Sequence, residues 1–140
     1  MEYDRFRVRS PVKSFRDLEV YQKTVQLSSE IALLAFVDEK QKEEMTKTTA
    51  RIPELIAEAY GDKYDSKELS KQKLTEAVTL ITDMITKIDI LREKFKDERE
   101  KKETLDSILS RYHTQKIKVL NLRKAWDRVY NYGSTNAGKQ

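Results

Sequence analysis

Between Leu74 and Phe95 the apolar residues return every three or four positions: Leu74, Ala77, Val78, Ile81, Met84, Ile85, Ile88, Leu91 and Phe95. An α-helix turns once in about 3.6 residues, so this spacing gathers them on one stripe, whereas a strand needs strict alternation. A helix is predicted over about 66–95, on the order of 45 Å long. A helix with one apolar stripe has to be covered by other elements, and the composition says which kind. Three Gly and two Pro in 140 residues cannot furnish the turns of a sheet protein. The length suits a single domain built around one core. Helices must cover the helix.

Three more are legible. Ser14 can cap a first helix, with Asp17 three positions on as the acidic half of a capping-box-like start. Leu18, Tyr21, Val25, Ala32 and Ala35 then form one apolar row and Val20, Leu27, Ile31 and Leu34 a second, so this helix should meet more than one neighbour and end near Val37. A second helix over about 40–60 contains Pro53, which has no amide hydrogen to donate to the Thr49 carbonyl. The apolar set Ile52, Leu55, Ile56 and Ala59 runs on past it, which predicts a kink rather than an end. Gly61 is placed to stop that helix, and Ser66 to cap the third. The charged stretch from Lys96 to Glu103 should hold the next turn. The fourth helix reads Leu105, Leu109, Tyr112, Lys116, Val119, Arg123, Trp126 and Tyr130 along its seam, putting two cations where a coiled-coil-like seam wants apolar groups. The expected architecture is an all-α, antiparallel up-down four-helix bundle over 14–131, preceded by a basic arm at 1–13 and followed by a disordered tail at 132–140.

Catalytic chemistry finds little material. The absence of Cys excludes disulfides, Cys-ligated zinc and iron–sulfur clusters. The one histidine, His113, has Leu109, Ser110, Lys116 and Ile117 at helical spacing, none of them a metal ligand, and it reads as an exposed side chain. A di-iron bundle needs a Glu-x-x-His pair on two helices, and neither Gly61 nor Gly133 sits in a phosphate-cradling loop. No enzyme activity, metal or cofactor is expected. No apolar run approaches the roughly 20 residues that span a bilayer, and the first residues lack the apolar stretch of a secretory signal. A soluble, cytoplasmic protein is expected.

The charge is unevenly spread. The net charge is +4, yet residues 1–16 hold five basic residues against two acidic, residues 111–140 seven against one, and the middle is net −5. Basic ends around an acidic middle suit a polyanion or an acidic surface on another copy. On the first view Arg5, Arg7, Arg9, Lys13 and Arg16, with Lys116, Lys118, Arg123, Lys124 and Arg128 on the fourth helix, contact the backbone of RNA, and Tyr3 or Phe6 stacks on exposed bases. On the second the chain is a structural homo-oligomer with no nucleic-acid role. Lys116 and Arg123 then pair with Asp83, Asp89 or a neighbour's acids, and Trp126, Val129 and Tyr130 anchor the subunit interface. A membrane-surface role is weaker, because residues 1–16 form no apolar helical face and Pro11 interrupts them.

Two stretches carry a resemblance. Phe15-Arg16-Asp17-Leu18-Glu19-Val20-Tyr21-Gln22-Lys23 and Ile52-Pro53-Glu54-Leu55-Ile56-Ala57-Glu58-Ala59 are similar to motifs of the bacterial four-helix-bundle family encoded in ribosomal RNA intervening sequences. Ala59 stands where that family has Gly, and Arg51 where it usually has Ser. The similarity covers roughly residues 14–95, and the fourth helix matches in length and amphipathicity alone. Related to the family are the accessory variability determinants of diversity-generating retroelements, which form pentameric barrels and present basic surface to a reverse transcriptase and its RNA. The resemblance thus implies a homo-pentameric ring, RNA and a reverse transcriptase as partners, and no catalytic residues.

Overall fold

The computed structural model describes residues 13–138, with side chains through 128. Ser14 does cap a helical start, but a short one. Its hydroxyl accepts from the Arg16 amide at 3.1 Å, and the Asp17 carboxylate accepts from the amides of Ser14 and Lys13 at 3.2 and 2.9 Å. This closes a 3-10 turn over Phe15–Asp17. Leu18 is extended, and helix α1 then runs Glu19–Ala32. It ends before the expected Val37, because the connection has core to fill: Leu34 and Val37 are buried from it, and Phe36 meets Phe95 edge-on at 5.1 Å.

Asp38 caps α2 (Glu39–Asp62), its carboxylate accepting from the Gln41 amide. The helix continues through Pro53, and Ile52, Leu55, Ile56 and Ala59 stay on the core face on both sides of the ring. Gly61 does not act as the expected stop. It lies inside the last turn, and among the described residues no glycine has a positive φ. The helix closes at Lys63, whose amide donates to the Ala59 carbonyl at 3.0 Å. Ser66 caps α3 (Lys67–Lys94) by accepting from the Leu69 amide at 3.1 Å. After a turn at 95–98, α4 occupies Arg99–Gly138. It runs past the expected end near Tyr130 and through 132–138, which the sequence assigns to a tail. Gly133 and Gly138 lower helix propensity, but no proline blocks propagation.

Each helix packs on its chain neighbour and α1 closes against α4, as in an up-down bundle. Cross-helix pairs fix the directions. Glu19 meets Lys118 and Glu30 meets Arg111, while Arg92 meets Asp106 and Lys67 meets Asp127, so α4 is antiparallel to both α1 and α3. Val20, Leu27 and Ile31 of α1 join Met45, Ile52 and Leu55 of α2 and Leu74, Ile81, Met84 and Ile88 of α3 in one core. Each such side chain contributes about 1.5–3 kcal/mol by leaving water.

The seam of α4 is corrected. Its buried row is Leu105, Ile108, Tyr112, Gln115 and Val119, with Leu109 and Lys116 half-buried beside it. One residue is a 100° step on a helix, so exchanging Leu109 for Ile108 and Lys116 for Gln115 rotates the helix away from the expected seam. An ammonium in the core would lose its hydration without a partner; an amide loses far less.

Candidate nucleic-acid interface

Arg5, Arg7 and Arg9 lie outside the described residues. Where the arm joins the bundle, Lys13 is exposed, and the exposed Arg16 guanidinium sits 4.5 Å from the centroid of the Phe15 ring. The remaining candidates are on α4, and the bundle sorts them into three environments.

Facing α1, Lys118 is committed to Glu19 and Arg111 to Glu30, the latter through two bonds of 2.5 and 2.6 Å. A guanidinium fork on a carboxylate is the strongest form of such a pair. The Arg111 hydrogen bonds hold the Glu30 carboxyl below its ordinary range, and Lys118 does the same to Glu19. Toward α3, Arg123 donates to the Thr75 hydroxyl at 2.9 Å, a neutral partner. It does not pair with Asp83, which is bonded to Lys87 one turn on. On the outer surface, Lys124 and Arg128 are exposed, one turn apart on one face, and Lys116 is half-buried. Among the described residues none of these three has an acidic partner.

The described cations are unevenly paired. Along α2 and α3 the cations are largely matched: Arg51 binds Glu54 and Glu58, Lys73 binds Glu58 and Asp62, and Arg92 binds Asp106. Beyond Arg111 the acids end except for Asp127, which Lys67 holds at 3.3 Å. Among the described side chains of α4 beyond Arg111, the cations Lys116, Lys118, Arg123, Lys124 and Arg128 outnumber the single acid, Asp127.

Of the residues read as an oligomer interface, Trp126 is half-buried and engaged within the chain. Its ring meets Tyr60 edge-on at 6.3 Å, and the Lys63 ammonium lies 5.4 Å from its centroid. The backbone of Val129 and Tyr130 belongs to α4, and their side chains lie outside the described ones. His113 is exposed. Among the described residues no His, Asp and Glu side chains gather in a metal-binding cluster, and no helix is long and apolar enough to cross a membrane.

Gln115 is the residue that periodicity alone did not single out. It is 4% exposed, and its side-chain oxygen accepts no hydrogen bond. The signal was present, since Ile108, Tyr112, Gln115 and Val119 recur at steps of four, three and four. A register that favoured Lys116 concealed it. Comparison with family models, with curated proteins and with solved structures gives no match.

Proposed function

We propose that this protein is a non-enzymatic RNA-binding accessory, a helical scaffold that assembles into a homo-pentameric ring and holds structured RNA beside a reverse transcriptase. The observation that carries the reading is the set Lys116, Lys124 and Arg128, without acidic partners among the described residues, with Arg123 beside them bound to a neutral hydroxyl. Three such cations close together on one helix, with Arg123 beside them, make a positive ridge, and a phosphate backbone is a polymer that answers it. The cationic arm and the sequence motifs at Phe15–Lys23 and Ile52–Ala59 support the same reading. Binding of this kind is electrostatic and indifferent to sequence, and the protein's part is to position rather than to react. A structural oligomer without nucleic acid is favoured by a different observation: Arg111 and Lys118 are already consumed by acids of α1.

The test is RNA affinity measured over a range of salt. Affinity should fall steeply as salt rises, and exchanging Lys124 and Arg128 for Ala should flatten the logarithmic slope by about 0.7 for each phosphate of a single strand that is no longer neutralised. An affinity indifferent to salt, or none at low salt, overturns the proposal. Gel filtration against standards tests the ring.

A further inference from the structure

A second feature of α4 faces the other way. Between α1 and α4 the structure has a cleft of about 240 Å³ whose walls carry Lys23, Arg111 and Lys118 against one carboxylate, Glu19, with Gln26 and Gln115 completing the lining. Two of these cations are already paired, which leaves Lys23 as the one open to an anion. Arg111 is bonded to Glu30 and Lys118 to Glu19, whereas Lys23 is exposed and makes no salt bridge among the described residues, its charge acting on Glu19 from farther off. At the inner wall, Gln115 is buried and its carbonyl oxygen is without a donor. A buried amide oxygen left unpaired is costly, and natural cores rarely keep one. Leucine would serve packing better at this position. A fitting ligand brings negative charge to Lys23 at the mouth and a hydroxyl donor that the covered Gln115 oxygen meets when its amide turns into the cleft.

We infer that this cleft takes one ribose phosphate of a bound RNA strand, with Gln115 accepting from the 2′-hydroxyl and Lys23 meeting the phosphate. The inference rests on the RNA-binding reading and adds what the outer ridge lacks. Cations on a ridge cannot tell RNA from DNA, because both carry the same phosphates; an acceptor fixed for the 2′-hydroxyl can. The exposed arc of α4 between the ridge and the cleft, through Asn121 and Thr114, has no acidic residue to repel a strand passing from one to the other.

The experiment compares oligouridylate with oligodeoxyuridylate of equal length at low salt, using fluorescence anisotropy. The wild-type protein should prefer the ribose strand about fivefold, the worth of one neutral hydrogen bond. Gln115→Met should abolish that preference while leaving oligodeoxyuridylate affinity unchanged, with circular dichroism melting to show that the bundle is intact. Lys23→Ala, at an exposed position that packing does not need, should weaken both strands and flatten the salt slope by about 0.7. Equal wild-type affinity for the two strands, a preference that survives Gln115→Met, or a Lys23→Ala protein that binds as wild type overturns the inference while the RNA-binding reading stands. Failure of both strands to bind the wild-type protein overturns both readings.

Discussion

Tyr112 of α4 and Thr49 of α2 are hydrogen-bonded hydroxyl to hydroxyl in the middle of the core, although among the described residues no Cα pair of these two helices lies within 8 Å. They are diagonal partners in the bundle. Both side chains are fully buried, and the phenol is long enough to cross the space between helices that touch only their neighbours. Thr49 stands four residues before Pro53, so the carbonyl that loses its amide donor belongs to the residue whose side chain Tyr112 engages.

The energetics of this pair are open to a double-mutant cycle. Tyr112→Phe and Thr49→Val should each cost about 1–2 kcal/mol, since each leaves a buried hydroxyl without a partner. The double variant should lose less than the two losses added together, because nothing is left unpaired. Urea unfolding of the four proteins measures it, and strictly additive losses would show that the hydroxyls act independently.

Alkaline titration reads the same site. Burial pushes the Tyr112 phenol up to about 12, the bond from Thr49 opposing in part. A group whose proton is held more tightly in the folded state stabilises fully below its unfolded value, here 10.0, and that contribution is lost as pH rises toward the folded value. Thermal stability should therefore decline between about pH 10 and 12, and Tyr112→Phe should flatten the decline. Phenolate absorbance should show one of the seven tyrosines ionising last.

The acid side depends on α1 and α4. Hydrogen bonds from Arg111 depress the Glu30 carboxyl, so the stabilisation is present above the unfolded value of 4.5 and is lost as pH falls through the lower folded one. Arg111→Gln should remove about 0.5–1 kcal/mol at neutral pH, a figure kept small because both side chains are more than a third exposed. Its stability should then vary less than the wild type's below pH 4.5. A variant with an unchanged acid profile would remove the pair from the account of α1–α4 packing.

The end of the bundle has its own reporter. The Lys63 ammonium lies 4.6 Å from the Tyr60 ring centroid, 4.1 Å from Tyr64 and 5.4 Å from Trp126, tying the α2–α3 connection to α4. Trp126 is the one tryptophan in the chain, so its emission reports this cluster alone. Lys63→Gln should cost about 0.5–1 kcal/mol and shift the emission to the red as water reaches the indole. An emission spectrum unmoved by the substitution would place the ammonium elsewhere in solution.

Much of this architecture was legible from residue order. The apolar rows of α2 and α3, the cap at Ser66 and a turn beginning just after α3 arise from periodicity and local hydrogen-bonding chemistry, which act within a few residues and need no partner. The ends of α1 and α2 were not legible. Whether Leu33 continues a helix depends on Phe36 reaching Phe95, and whether Gly61 stops one depends on how the Lys63–Ser66 connection packs. The candidate interface divided the same way. An excess of cations at the C-terminal end can be counted, but counting treats Lys118 and Lys124 alike.

What the sequence determined by itself is therefore the number of helices, their apolar faces and the sign of the charge at each end. The tertiary structure decided the rotation of α4 about its axis, and with it that Gln115 rather than Lys116 is buried, that Lys118 and Arg111 are spent on α1, and that Lys124 and Arg128 face outward. The physical reason is one of range. Periodicity fixes a helical face only to within about one residue's turn of 100°, whereas pairing a cation or burying an amide depends on which neighbouring helix supplies the partner within a few ångströms.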